Sequence, residues 1–352
     1  MKKIVAILMA MVLALGLLAG CSGEPVSAPS TAATEAPSVT EAPASDAAVK
    51  TGLYVGASVS ESKSAAAEEN GQAKFDVTLV AVTVSDEGVI ESCVIDSIPA
   101  TVKFDASGVI TSDISADVPT KNELGDSYGM KAYAGSKYEW NEQVAALAAY
   151  AVGKTVEELK EGAVDETGHA ADADLASTAT IYLGGYVSAI EAAVNNAQHL
   201  GASSGDKLVL ASLNSAGSSK NAEGDKTGTA QLDADVTAVT MNGGVITSCY
   251  IDSVQAKVNF DTTGTITTDL SAPMPTKNEM GEGYGLKAYA GSKYEWNEQA
   301  AAFAAYVTGK TAEEVAGIAV NEKTAPADAD LAATVTISIA GFQALIAKAA
   351  AQ

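Results

Sequence analysis

The chain of 352 residues contains no arginine, only two histidines and only three cysteines. Without arginine it has no planar, bidentate clamp for phosphate or carboxylate. An anionic ligand would have to be met by lysine, by backbone N–H groups or through a covalent bond. Basic residues are also few, 21 against 44 acidic ones, for a formal charge of −23. Such a surface repels nucleic acid and anionic lipid, which excludes nucleic acid as a partner and excludes lipid except through an anchor. Long apolar runs are missing too. The longest, Ile4 to Leu18, is too short to span a bilayer as a helix.

That short run has another reading. Met1-Lys2-Lys3, the apolar stretch and then Leu18-Ala19-Gly20-Cys21 have the layout of a bacterial lipoprotein signal peptide. Residues 1–20 are expected to be removed and Cys21 to become the lipidated N-terminus, holding the protein to the cell membrane on its extracytoplasmic face. Removing Lys2 and Lys3 leaves 19 basic against 44 acidic residues, a charge of −25. Residues 21–49 are Ser, Thr, Ala, Pro and Glu with almost no large apolar side chain, a composition that cannot offset ordering entropy. They are expected to form a disordered tether with a reach of roughly 30 Å.

The rest of the chain repeats itself. TKNELGDSYGMKAYAGSKYEWNEQ at 120–143 matches TKNEMGEGYGLKAYAGSKYEWNEQ at 276–299 in twenty of twenty-four positions, at an offset of 156. Val102-Lys103-Phe104-Asp105 and Ala173-Asp174-Leu175-Ala176 recur at the same offset, and upstream of the turns at Gly88 and Gly244 the offset is 157. A period of this length is domain-sized. Two tandem homologous domains are expected, 50–200 and 201–352, divided within 198–207, and each is expected to fold alone.

Each copy is expected to be α+β, with antiparallel hairpins followed by helices. Val77–Val84 and Val89–Ile95 flank a Ser85-Asp86-Glu87-Gly88 turn, and Thr101–Phe104 and Val109–Ser112 flank a second, so two hairpins are expected. Ser136 with Glu139 suggests a capping box before a helix running to Val152, Gly153 a stop, and Thr155 with Glu158 the next box. Ser292, Glu295, Gly309, Thr311 and Glu314 repeat these devices. Thr178–Leu183 is expected as a strand and Gly184–Asn196 as a last helix.

Little here supports nucleophilic catalysis. His169 and His199 have no counterparts in the second copy, so a Ser-His or Cys-His machine or a His-based zinc site present in both copies is excluded. Cys93 and Cys249 fall one per copy, either as small apolar strand residues or as a bridge between copies. Asp172 and Asp174, with Asp328 and Asp330, suit turn and cap positions better than a metal site. The repeated stretch concentrates aromatics: Tyr128 and Trp140, with Tyr284 and Trp296, offer flat faces for stacking or, equally, a core where loop meets helix. Lys121 and Lys131, with Lys277 and Lys287, offer positive charge beside them.

The segment Asp174-Leu175-Ala176-Ser177-Thr178-Ala179-Thr180 ahead of a helix resembles the flavin-attachment motif of the FMN-binding domain family, in which a final Thr carries FMN through a phosphoester. Copy one keeps Asp174, Ser177, Ala179 and Thr180, with Thr178 at the family's Gly; copy two keeps Asp330 and Thr336. The tandem, lipid-anchored layout is similar to Gram-positive surface flavoproteins of extracellular electron transfer, and the repeated Tyr-Gly-Met/Leu-Lys and Trp elements look like those of sex-pheromone-precursor lipoproteins. The resemblance implies a surface redox carrier rather than a turnover enzyme, with FMN as cofactor and a surface or membrane redox partner. The residues alone equally suit a noncatalytic envelope binding module with two similar sites and no flavin.

Overall fold

Alternation along Gly71–Val84 (β2) builds the first sheet. Ala73, Phe75, Val77 and Leu79 are buried on one face, while Lys74, Asp76 and Thr78 occupy the other; further on, Val80, Val82 and Val84 bury that second face as well. The strand is thus half covered at its start and covered on both sides at its end. It pairs antiparallel with Lys50–Ser58 (β1) and Ile90–Phe104 (β3) in the order β1-β2-β3. Lys207–Ser215 (β4), Gly228–Asn242 (β5) and Val245–Phe260 (β6) form a second sheet of the same order. The computed structural model describes residues 47–352; the expected signal peptide, Cys21 and the tether up to residue 46 lie outside the described residues. Ala47–Val49, expected in the tether, belong to the body: Ser204 N–H donates to Ala47 O at 2.8 Å and Val49 is buried.

Helices follow each sheet. After β3 come Lys121–Leu124 (α1), a 3-10 turn at Gly125–Tyr128, Met130–Ala134 (α2), Trp140–Ala151 (α3), Val156–Gly162 (α4), Ala173–Ala176 (α5) and Gly184–Asn195 (α6). After β6 the same series runs Lys277–Met280 (α7), a 3-10 turn at Gly281–Tyr284, Leu286–Ala290 (α8), Trp296–Val307 (α9), Ala312–Ala316 (α10), Ala329–Ala332 (α11) and Ala340–Ala350 (α12). Helices α3 and α6 cover the outer face of the first sheet, and α9 and α12 that of the second. No helix among the described residues is long and apolar enough to cross a membrane.

The two copies do not have separate cores. Their sheets pack face to face, and the cluster between them takes twelve buried side chains from each copy. At its centre the rings of Phe104 and Phe260 lie parallel, with centroids 4.1 Å apart. Loops cross reciprocally: Ala65 N–H donates to Gly264 O, and Ala222 N–H to Gly108 O. Gly108 and Gly264 have φ of 72° and 68°, and a Cβ on either would meet the other copy's backbone within 2.7 Å. Glycine is required there both for conformation and for clearance. The layers are therefore helix, sheet, sheet, helix, within one unit rather than two independent domains. The expected boundary segment is part of it, since Thr51 and Gln198 exchange backbone hydrogen bonds at 2.8 and 3.0 Å.

Several sequence expectations change. β1 and β4, KTGLYVGAS and KLVLASLNS, lie outside the expected hairpins, yet they complete the sheets. Ile90–Ile95 and Thr101–Phe104 are parts of one strand, β3, which Val89 just precedes, and Ile110 adds only an isolated bridge to Phe104. Thr178–Leu183 is not a strand: the short helix α5 ends beside it, and the backbone there is held by a glutamine side chain described below. The N-cap of α3 is Glu139, boxed with Glu142, while Ser136 Oγ donates to Tyr138 O. The boxes at Thr155 and Thr311 form as expected.

Asp96 and Asp252 tie the sheets to α1 and α7. Their Oδ1 atoms accept from Asn122 N–H at 3.0 Å and Asn278 N–H at 3.1 Å. Burial pushes the Asp252 carboxyl up from 3.8 to about 6 against its hydrogen bonds, and raises Asp96 likewise. Between these two values the folded protein binds a proton that the unfolded chain has lost. Stability should therefore rise as pH falls from about 7 to about 4, by about 3 kcal/mol from Asp252. Below that, exposed carboxylates such as Asp105, whose pKa is lowered chiefly by the Ser107 hydroxyl, lose their bonds and stability falls again. Denaturant unfolding across this range measures the slope, and Asp252→Asn should flatten it.

Candidate functional site

A single carboxylate folds the turn that carries the repeated stretch. Gly129 takes φ of 82°, and the next two N–H groups, of Met130 and Lys131, donate to Glu139 at 2.6 and 3.1 Å. Glu139 also caps α3 and is only 2% exposed. This arrangement sets Trp140 at the first turn of α3, opposite Tyr128. Thr120 and Glu123 form a capping box that starts α1 at Lys121. The Lys121 Nζ then lies 4.8 Å from the Trp140 ring centroid and 5.1 Å from that of Tyr128, within range of the negative faces of both rings.

These groups open onto a cleft of ≈ 460 Å³ between β1, β2 and the start of α6. Tyr54, Thr78, Met130 and Tyr186 line it with Lys121, Tyr128 and Trp140. Trp140 Nε1–H donates to Tyr186 Oη at 3.0 Å, and the two rings meet edge to face. Gly185, in the first turn of α6, lines the same cleft, while the N–H groups of Gly184, Tyr186 and Val187 around it are taken by Gly168 O and Leu183 O. The volume and the mixture of aromatic side chains with a few convergent polar groups suit a small flat ligand, and the single charge of Lys121 suits one carrying an anion.

The structure brings only part of the expected site together. Lys131 pairs with Glu142 at 2.7 Å, and Lys287 with Glu298 at 2.9 Å, outside the cleft lining. The pair's hydrogen bond raises each lysine and lowers Glu142, and Glu298 is lowered first by the Glu295 N–H and then by Lys287. Asp174 and Asp330 donate their N–H groups to the capping carboxylates of Asp172 and Asp328, and Ser177 Oγ donates to Asp174 O. These acids fill the turn and cap roles expected of them. Thr180 and Thr336 are exposed, one residue before Ile181 and Ile337. Thr178 has no positive φ, so this loop closes without the glycine of the attachment motif.

Gln143 and Gln299 carry much of the loop geometry, although neither stood out in the sequence as functional. Gln143 Oε1 accepts from Thr180 N–H at 2.8 Å, from its hydroxyl at 3.2 Å and from Ile181 N–H at 3.1 Å, while Nε2 donates to Ser136 Oγ and Tyr138 O. Gln299 repeats this with Thr336 and Ile337. Both glutamines are fully buried. Much of the polar identity between the copies is thus structural: Asn122, Glu139, Glu142 and Gln143 each fasten a turn. Tyr54, Tyr186 and Thr78 also escaped the sequence reading, because they lie outside the repeated stretch and copy two has Ala211, Phe342 and Asp235 in their places.

In copy two, Lys277 sits over Trp296 at 4.7 Å and Tyr284 at 5.3 Å, as Lys121 does in copy one. A larger cleft, ≈ 500 Å³, lies elsewhere, between Gln198–Leu200, Cys249–Ile251 of β6 and α9. Its wall mixes Gln198, His199, Tyr250, Asn278 and Asn297 with alanines of α9 and lacks both a lysine and a tryptophan. Cys93 and Cys249 are both free. Burial pushes both thiols up to about 12, so neither is a thiolate near neutral pH. Compared with known proteins, the chain matches no family model, no curated protein and no solved structure.

Proposed function

We propose that this is a lipid-anchored extracytoplasmic protein, derived from a duplicated FMN-binding-like unit, that holds FMN noncovalently in the cleft of its first copy and serves as a surface redox carrier. The observation that carries this reading is the cleft itself: Tyr54, Tyr128 and Tyr186 supply ring faces and edges, and Lys121, held over the buried Trp140, supplies a cation where arginine is absent. Residues of this kind fit a flavin. Tyr54, Tyr128 and Tyr186, each partly exposed, would hold the ring system and exclude water from it, with the buried Trp140 behind them, and Lys121 would meet the phosphate. A bound flavin supplies one- and two-electron transfer, which the protein positions and tunes. Noncovalent binding is supported by Thr180, whose hydroxyl and N–H are already engaged by Gln143. The expected signal peptide and Cys21 support the anchor, and a membrane or surface redox partner would exchange the electrons.

The experiment is a titration of FMN and of riboflavin, which lacks the phosphate, followed by flavin fluorescence. FMN should bind more tightly than riboflavin, and Lys121→Ala should weaken FMN by about tenfold or more while leaving riboflavin nearly unchanged, since a bond to a charged group contributes about 1.5–3 kcal/mol. A Cys21→Ser chain should leave the membrane fraction with its FMN affinity intact. If neither flavin binds, the redox reading is wrong, and a binding module for another flat anion takes its place.

A further inference from the structure

We infer that ligand binding is confined to copy one, because copy two fills the equivalent cleft with its own side chains, Asp235 standing where copy one would receive a ligand's anion. This rests on the reading of the first cleft as a ligand site. The lysine, tyrosine and tryptophan are the same in both copies; what differs is the wall across from them. At the offset of 157, Thr78 becomes Asp235, Gly56 becomes Leu213 and Tyr54 becomes Ala211.

Asp235 and Leu213 add charge and volume to that wall, whereas Ala211 in the place of Tyr54 removes a ring from it. The Asp235 Oδ2 lies 3.6 Å from where a Cβ on Gly341 would stand, so its carboxylate meets the first turn of α12, which in copy one opens onto the cleft through Gly185. Copy one needs Gly56 bare, since a Cβ there would come within 2.2 Å of Tyr54 Oη. Copy two has Leu213 instead, packed on the core beneath α12. Phe342, in the place of Tyr186, is 4% exposed and packs edge to face on Trp296.

The buried cation follows suit. Lys277 is only 9% exposed, whereas Lys121 is partly exposed and lines the open cleft. Burial lowers the Lys277 pKa, and Asp235, Asp233 and Asp252 oppose the shift and so help keep the ammonium charged. Asp233 and Asp235 also raise Tyr284, after burial, which places both carboxylates near the same ring. In copy one the counterpart of Asp233, Asp76, is partnered by Lys74 at 3.5 Å instead. Copy two therefore keeps its cation in the field of its own carboxylates, none paired with it at 4 Å or less, where copy one has Thr78 in the place of Asp235.

Two measurements test this. Equilibrium dialysis with FMN should give one bound FMN per chain, two for the Asp235→Thr/Leu213→Gly double variant, and none for Thr78→Asp, which places an acid in the first cleft. Two FMN per wild-type chain, or a double variant that stays folded and still binds one, overturns the inference while leaving the proposed function standing. Brief acetylation of the wild-type chain, read by peptide mass spectrometry, needs no flavin. Lys121 should be modified several-fold faster than Lys277, and Asp235→Thr should remove most of that difference. Equal rates in the wild type overturn the inference. Protection of Lys277 together with no FMN binding would instead count against the flavin reading alone.

Discussion

Expressed apart, residues 47–200 and residues 205–352 should fail to fold as monomers. The repeat in the sequence suggests two self-sufficient domains, but each copy buries twelve side chains against the other, among them Phe75, Val77, Ile98 and Phe104 on one side and Leu232, Val236, Val254 and Phe260 on the other. Exposing a Val, Leu, Ile or Phe costs about 1.5–3 kcal/mol, so the four such groups uncovered on each half would cost it about 6–12 kcal/mol, as much as the whole 5–15 kcal/mol by which domains are usually stable. Separation also leaves the N–H groups of Ala65 and Ala222 without their carbonyl partners across the interface. Each half should be unfolded by near-ultraviolet circular dichroism, or should self-associate through its uncovered sheet, and mixing the two should restore a 1:1 complex. A monodisperse, cooperatively folded monomer from either half would contradict the shared core.

Phe104→Ala should be among the most damaging single substitutions. The ring is fully buried, stacked on Phe260 with an interplanar angle of 2°, and packed so closely that Gly71 has no room for a Cβ, which would lie 2.4 Å from it. Removing such a ring costs about 3–5 kcal/mol, since the cavity forms where two rigid sheets meet and cannot collapse. In a body of this size that corresponds to a fall in melting temperature of about 6–10 °C. Phe260→Ala should cost a similar amount, and the double variant less than the sum, because both remove the same contact. A loss below about 1 kcal/mol for Phe104→Ala would mean that the two sheets are not packed as described.

The sequence revealed most where local rules govern. Thr155 with Glu158 and Gly153 announce a box and a stop because capping depends on residues a few positions apart, and β2 announces itself by alternation. It revealed little where the deciding partner is distant. The loop at Thr178–Leu183 looks like a strand by composition, yet it takes its shape from Gln143, thirty-seven residues before Thr180. The same limit applies to the cleft. Lys121, Tyr128 and Trp140 were found because they repeat, but Tyr54 and Tyr186 arrive from β1 and α6, and only pairing and packing bring them in. Repetition was also an incomplete guide to function: Glu139 and Gln143 repeat because the turns need them, whereas Thr78 and Asp235, on which the difference between the copies turns, do not repeat at all.

The chain has two tryptophans, one beside each lysine, so two indole N–H signals in a 15N-correlated spectrum report on the two clefts separately. Trp140→Phe and Trp296→Phe assign them. On addition of FMN to the otherwise unaltered chain, the Trp140 signal, whose N–H donates to Tyr186, should shift to a saturating limit while the Trp296 signal stays in place. If neither signal moves at saturating FMN, or if both move together, the account of a single open flavin cleft in copy one is contradicted.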